Sequence, residues 1–381
     1  MYSPELINRF KRESTPFFYY NLQLLKDTLS VVNKESSKYN YHVHYALKAN
    51  SNDQILNTIN SFGLGADCVS GNEIEKALKH GFTNDKIAFA GVGKTDEEIN
   101  IGLDKDIFCF NCESIPELMV INELAQKKNK IADIALRINP NVKANTHYYI
   151  TTGLEENKFG INRWELEEVL SVLKELKNVN LIGLHFHIGS QITDLSNFKG
   201  LCLRVNEIQK WFYEHHIIVQ HINVGGGLGI NYDNPKEELI PDFKSYFKLF
   251  NDFLELRPQQ ELHFELGRSI VGQCGSLISK VLYIKKGIKT NFAIIDAGMT
   301  ELIRPALYQA FHNIENLTSK EDSIEKYDVV GPICESSDCF GKLIPLPKTT
   351  RGDIIVINSC GAYGEVMASQ YNLRRLPLAI Y

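Results

Sequence analysis

No stretch of this sequence is apolar for long enough to span a bilayer, and the leading MYSPELINRFKRESTPFFYY carries charges throughout, so it is not read as a signal peptide. A cytoplasmic protein is expected. An excess of positive charge is missing as well: 41 Lys and Arg against 46 Asp and Glu leave a formal net charge of -5, with no basic footprint for nucleic acid. The ligand expected is a small molecule, with neither nucleic acid nor membrane as partner. Cysteine is sparse, eight residues scattered through 381, without the spacing of a secreted disulfide framework. The CxxC at Cys109 to Cys112 has no second pair to complete four zinc ligands, so both are read as packing residues and no metal site is expected. Internal repeats and low-complexity linkers are absent too. What remains is an ordinary globular composition, 44% hydrophobic and 23% charged, in a chain long enough for two domains or one large barrel with an appendage.

Between about residues 41 and 271 short β-type runs alternate with helical stretches. The runs are YHVHYAL, LGADCVS, KIAFAG, IFCFN, IADIALRI, LIGLHFHI, QHINVGG and ELHFELG. Segments between them, such as SNDQILNTINSF, GNEIEKALKHGF and SIPELMVINELAQKKN, have the caps and apolar spacing of helices packed on a sheet. Eight such repeats predict a (β/α)8 TIM-type barrel over 26–272. After Ile270 the β-type runs lack intervening helices, which predicts a separate all-β, sandwich- or barrel-like domain over 273–381, joined by residues 1–25.

In such a barrel chemistry sits at the C-terminal strand ends, and these ends are unusual. Alternation on the first run puts Val43, Tyr45 and Leu47 on one face and His42, His44, Ala46 and Lys48 on the other, with Lys48 at the end of the strand. By the same count Asp67, Arg137, Asn139, His185, His187, His263, Glu265 and Gly267 point inward, and the seventh run ends in Gly225, Gly226 and Gly227. Branched aliphatics would fill these places in a barrel that was only a core. A lysine able to form a Schiff base, glycine N–H groups for a phosphate, a carboxylate for a pyridine nitrogen and a flat imidazole together suggest pyridoxal 5′-phosphate. Singly, GGGLG could equally be a tight turn and HFH a satisfied core pair.

YALKAN, HFHIGSQ, NVGGGLG, ELGRSIV, DAGMTELIRPALYQAFH, CESSD and GAYGEVMASQYN, in this order, resemble the motifs of the fold-type III PLP-dependent decarboxylases over nearly the whole chain. The resemblance implies that Lys48 carries the cofactor and His187 stacks on its ring. It implies that Gly225, Gly226, Gly227 and Ser190 hold the phosphate, with Asp67, Gly267, Arg268 and Tyr363 also at the cofactor, and that Glu265 pairs with the pyridine nitrogen. Arg268, Arg304, Tyr308, Glu335 and Tyr363 are implied to contact substrate. Cys334 resembles the family's proton donor, supplied with Glu335 from the partner subunit of a head-to-tail homodimer.

The implied reaction is decarboxylation of meso-2,6-diaminopimelate at its D-centre to L-lysine and CO2, the last step of lysine biosynthesis. That substrate presents both an ammonium and a carboxylate at its far end, which needs an anion reader and a cation reader; Arg304 and Glu335 supply the pair. Ornithine-specific relatives have aspartate after the cysteine, where this chain has Glu335. The alternatives are a decarboxylase of ornithine, lysine or carboxynorspermidine, or a non-catalytic PLP-binding homologue. Two departures from the family pattern are Leu266 in place of a proline and the segment CFGKLIPLP after CESSD, which lacks the usual acidic-basic pair.

Overall fold

The structure is a computed structural model that describes residues 2–142 and 158–381. The chain begins with a helix, Pro4–Phe10, and strand β1 (Phe17–Tyr20), before eight strands that close a barrel. These are β2 (His42–Ala46), β3 (Gly65–Cys68), β4 (Ile87–Phe89), β5 (Cys109–Cys112), β6 (Ala132–Arg137), β7 (Val179–His185), β8 (His221–Asn223) and β9 (Glu261–Leu266). Each pairs in parallel with the next, and β9 closes on β2 with His44 opposite Glu265. All eight predicted runs are barrel strands.

Helices between the strands start where capping chemistry places them. The Asn52 side chain accepts from Gln54 N at 3.0 Å to open Asp53–Asn60, and Thr95 with Glu98 forms a capping box on Asp96–Asp104. Outward strand residues then meet apolar helix faces. Phe264 of β9 packs edge-on against Tyr246, Phe247 and Phe250 of helix Phe243–Phe253, with centroids 4.9 to 5.7 Å apart. Cys109 and Cys112 are buried on β5, as packing residues.

The inward face is polar at both ends of the barrel. At the N-terminal end, His263 stacks on His42, His44 and Phe108, and His44 on Phe108. Burial pushes His44 down to about 4, against the pull of the Glu265 charge and of the Lys86 carbonyl, so its imidazole is neutral at pH 7.

The chain divides into two compact units. One comprises Lys26–Gly229 and Asp242–Gly267; the other comprises Met1–Leu25, Ile230–Pro241 and Arg268–Tyr381. The second unit is mostly β. Its strands are β10 (Gly275–Lys286), β11 (Asn291–Ile295), β12 (Ile314–Asn316), β13 (Ile324–Val330), β14 (Cys339–Pro347), β15 (Ile354–Ile357) and β16 (Leu378–Ile380). The sheet runs β12-β15-β10-β11-β13-β14, and β1 lies antiparallel to β10 and parallel to β16. Phe10, Phe17, Ile278, Ile354 and Val356 form a core that fastens both chain ends to this sheet. The CFGKLIPLP segment is strand β14 itself. No helix among the described residues is long and apolar enough to cross a membrane.

Candidate active site

Lys48 sits slightly off its expected place. Strand β2 stops at Ala46, and Leu47–Ala49 forms one 3-10 turn that carries Lys48 over the mouth of the barrel. One local and one long-range contact hold the turn. Tyr45 Oη donates to Asn50 O at 2.8 Å, and Gly267 lies so close that a Cβ there would meet Ala49 Cβ at 2.9 Å. Lys48 Nζ donates to Asp67 Oδ2 at 2.9 Å, with the lysine side chain 37% exposed and Asp67 fully buried. The other oxygen, Asp67 Oδ1, is buried without a hydrogen-bond partner. Burial pushes the Asp67 carboxyl up to about 6, with the Glu265 charge adding to it and Lys48 opposing.

Glu265 is a buried charge with three hydrogen-bond partners. Its Oε1 accepts from Asn111 Nδ2 at 3.1 Å and Asn223 Nδ2 at 2.8 Å, and its Oε2 meets His185 Nε2 at 2.9 Å. Burial alone would raise this carboxyl, but His185 and then Lys48 outweigh it and hold Glu265 below the usual carboxylate range. Asn111 and Asn223 are site residues that the sequence reading does not single out. Their signal is present in the chain, since each is an amide on the inward face of a short strand whose neighbours are apolar.

His187 follows β7. Gly226 N–H donates to its Nδ1 at 3.3 Å, so the neutral ring carries its proton on Nε2. Burial, then the charges of Arg137 and Lys48, keep it well below the ordinary histidine value and therefore uncharged. Arg137 itself pairs with Glu113 at 2.5 Å.

Glycine is required in the adjoining loop. Gly225 and Gly227 have φ of +67° and +109°; a Cβ on Gly226 would lie 1.9 Å from Glu265 O, and one on Gly227 2.6 Å from Gly189 O. The loop after β7, which carries Ser190, is zipped to these glycines by Ile192 N donating to Gly227 O at 2.8 Å. A lysine at the mouth, a carboxylate with an unused buried oxygen, a charged glutamate, a neutral imidazole and a backbone cradle closed to any side chain fit pyridoxal phosphate. All lie in the barrel unit.

The second unit carries the remaining candidates. Arg304 opens the short helix Arg304–Tyr308, is 5% exposed, and donates from Nη1 to His312 Nε2 at 2.8 Å. His312 is turned to accept because its Nδ1–H donates to Asn358 O at 2.9 Å. The guanidinium lies 4.8 Å from the centre of the Tyr232 ring, and among the described residues no carboxylate pairs with it. Arg268 Nη1 donates to Tyr232 Oη at 2.6 Å, and its guanidinium lies 4.8 Å from the Tyr363 ring centre. Tyr363 holds φ of +56°, a left-handed conformation that a bulky residue adopts only when its surroundings impose it. Tyr308 ends the short helix, before Gln309 turns left-handed.

Cys334 is the one exposed cysteine of the eight. Beside it Glu335 is exposed and accepts from Tyr371 Oη at 2.9 Å. Buried Asp338 cinches this turn by accepting from Met299 N at 2.6 Å and Ile333 N at 2.7 Å. The aspartate of CESSD is therefore a brace for the turn, a role the motif alone does not reveal.

Residues 24–272 match the family model described as "Pyridoxal-dependent decarboxylase, pyridoxal binding domain". Over 97% of the chain the sequence is 62% identical to the diaminopimelate decarboxylase of Bacteroides thetaiotaomicron, covering 96% of that protein. It is 41% identical to the Vibrio cholerae diaminopimelate decarboxylase, again over 97% of this chain and 87% of the relative. Among solved structures, the Helicobacter pylori diaminopimelate decarboxylase complexed with L-lysine superposes with a TM-score of 0.92 at 40% identity, covering 98% of this chain and 94% of that one. With its eight-stranded barrel, its lysine at the barrel mouth and these matches, the chain belongs to the pyridoxal-dependent decarboxylases.

Proposed function

We propose that the protein decarboxylates meso-2,6-diaminopimelate at its D-centre, releasing CO2 and L-lysine, in the cytoplasm. The observation that carries the substrate is Arg304: a buried guanidinium whose described partners are the neutral imidazole of His312 and the ring and hydroxyl of Tyr232, with no carboxylate among them, leaving its charge available for an incoming carboxylate. Ornithine and lysine have no carboxylate to offer at the far end. The ammonium beside it we assign to Glu335.

The cofactor, when bound, supplies an electron sink for the pair released as CO2 leaves. The rest is the work of side chains. Lys48 would hold the cofactor covalently through its amine. Ionised Glu265, fixed by two amides and His185, keeps a proton on the pyridine nitrogen. Uncharged His187 offers a flat face without adding a competing charge, and Gly225 to Gly227 with Ser190 hold the phosphate. Asp67 orients the Lys48 amine. Arg268, Tyr308 and Tyr363 line the substrate, and the Cys334 thiol delivers the proton to Cα.

We assign Cys334 and Glu335 to the partner's site in a head-to-tail homodimer, a reading supported by the exposure of both side chains in the single chain. Mixing inactive Lys48→Ala and Cys334→Ala dimers should restore roughly a quarter of wild-type activity once subunits exchange, since half the dimers then hold one intact site. Exchange without recovery would mean that each chain builds its site alone. The substrate is tested by CO2 release from diaminopimelate, ornithine, lysine and carboxynorspermidine. Arg304→Ala should cost diaminopimelate turnover ~30- to 1000-fold, about 2 to 4 kcal/mol, without a matching loss on ornithine. Undiminished diaminopimelate turnover in that variant, or a preference of the wild type for ornithine, would remove this reading.

A further inference from the structure

The N-terminal end of the barrel, opposite the lysine and the glutamate, holds a second constellation that the decarboxylation does not use. His221 and Glu261 are the first residues of β8 and β9, and His263 lies two residues further along β9. His221 Nδ1 and His263 Nε2 are 3.1 Å apart, while Glu261 Oε2 lies 3.3 Å from the first and 3.6 Å from the second. The edge of a tetrahedron whose vertices lie ~2.0–2.1 Å from its centre is about 3.3 Å, so these three atoms already have the spacing of one face of a tetrahedral coordination sphere.

The unprotonated Nε2 of His263 is built in. The Lys86 carbonyl can only accept, so His44 Nδ1, 3.1 Å away, carries the proton. His44 Nε2 is then the acceptor for His263 Nδ1–H at 2.9 Å, which leaves His263 Nε2 unprotonated and accepting from His221 Nδ1–H at 3.1 Å; a metal ion would take the place of that hydrogen, the His221 proton passing to its own Nε2. A backbone carbonyl, relayed through one imidazole, thus orients a second imidazole as a ligand, the arrangement that outer-shell groups provide around metal-binding histidines. Access is present as well. Two of the three residues, Glu261 and His263, line a cavity of about 430 Å³ together with His42, His44, Lys86 and Phe108; Glu261 itself is half-exposed, and the His221 side chain, outside this lining, is 18% exposed.

We propose that His221 Nδ1, Glu261 Oε2 and His263 Nε2 bind a divalent first-row transition-metal ion, with Zn2+ the best fit and water in the fourth position. Two imidazoles and one carboxylate are a borderline donor set that suits Zn2+, Co2+ or Ni2+ better than Mg2+ or Ca2+, which take oxygen ligands. The ion ties β8 to β9 at the end of the barrel away from the catalytic lysine, so its role is to brace the floor. Half-exposed His42, with Nε2 3.7 Å from Glu261 Oε2, is a further imidazole beside it.

The test uses holoenzyme purified without a histidine tag, stripped with chelator and titrated with Co2+. One Co2+ per chain is expected, with the visible d–d absorption of a four-coordinate site, displaced by Zn2+. Glu261→Gln and His221→Asn should each weaken binding ~10- to 100-fold or more, and Cys334→Ser, which removes the exposed thiol, should leave it unchanged. If either variant misfolds, protection of His221 in the wild type by Zn2+ against acylation, read by mass spectrometry, reports the same site. Absence of stoichiometric binding, binding indifferent to both substitutions, lack of protection of His221, or binding lost with Cys334→Ser would overturn the proposal and leave the histidines as a hydrogen-bonded floor.

Discussion

The two ends of the barrel solve the burial of polar groups in opposite ways. On β9 the residues concerned are only two apart, His263 facing one end and Glu265 the other. Glu265 stays charged because four groups answer it: two amides, His185 and the field of Lys48. His263 answers burial by giving up its charge, held well below the ordinary histidine value and hydrogen-bonded to another neutral imidazole. A buried site retains charge only where opposite charge and donors surround it, and elsewhere the group neutralises. Ionised groups gather at the end that carries Lys48, and uncharged imidazoles hydrogen-bonded to one another gather at the other.

The largest effect separating the ends should come from Lys48→Ala. Decarboxylation should fall by roughly 10⁴-fold or more, while thermal stability and the histidine end remain intact. Borohydride reduction followed by peptide mapping should place the cofactor on Lys48, and a label on another lysine would break the assignment.

Glu265→Gln keeps the shape and removes the charge. The expected loss is ~10²–10³-fold in kcat with substrate KM little changed, because the variant loses an electrostatic contribution and not a binding contact. An enzyme of near-normal kcat would mean that the four supports of Glu265 serve the fold alone.

The smallest effect should appear at the other end, as acid sensitivity. His44 titrates at about 4 when folded, against an ordinary value of about 6.5 in the unfolded chain. Its folded value is depressed, so the unfolded state binds more protons between these limits. The stability is present above about pH 6.5 and is lost as pH falls toward 4, by about 2 kcal/mol at pH 5. The groups acting on His44 are the Glu265 charge, the Lys86 carbonyl and the His42 and His221 rings, with His263 hydrogen-bonded to it. Urea unfolding at pH 7 and pH 5 should therefore show a smaller drop for His44→Gln than for the wild type. An equal drop would place the acid sensitivity elsewhere.

Much of this contrast is legible in the order of the residues. Alternation along eight runs puts His44, Asp67, His185, His263 and Glu265 on the inner face, and all five are buried in the barrel. The departures lie where distant residues intervene. Alternation predicts Lys48 at the last strand position, yet the chain turns into a 3-10 helix after Ala46, held by the approach of distant Gly267 and by the local Tyr45 hydrogen bond. Asp338 reads as one letter of a motif and is the brace of its turn.

Strands, helix starts and the face on which each chemical group lies are written in the chain locally, because period-two alternation and end caps are properties of a few consecutive residues. Which groups meet is settled by the closed barrel alone. Asn111 reaches Glu265 across 154 residues, His263 reaches His44 across 219, and the protonation state of each titrating group follows from the partner it finds. Burial and electric field are sums over the whole folded barrel, and no window of the chain contains them.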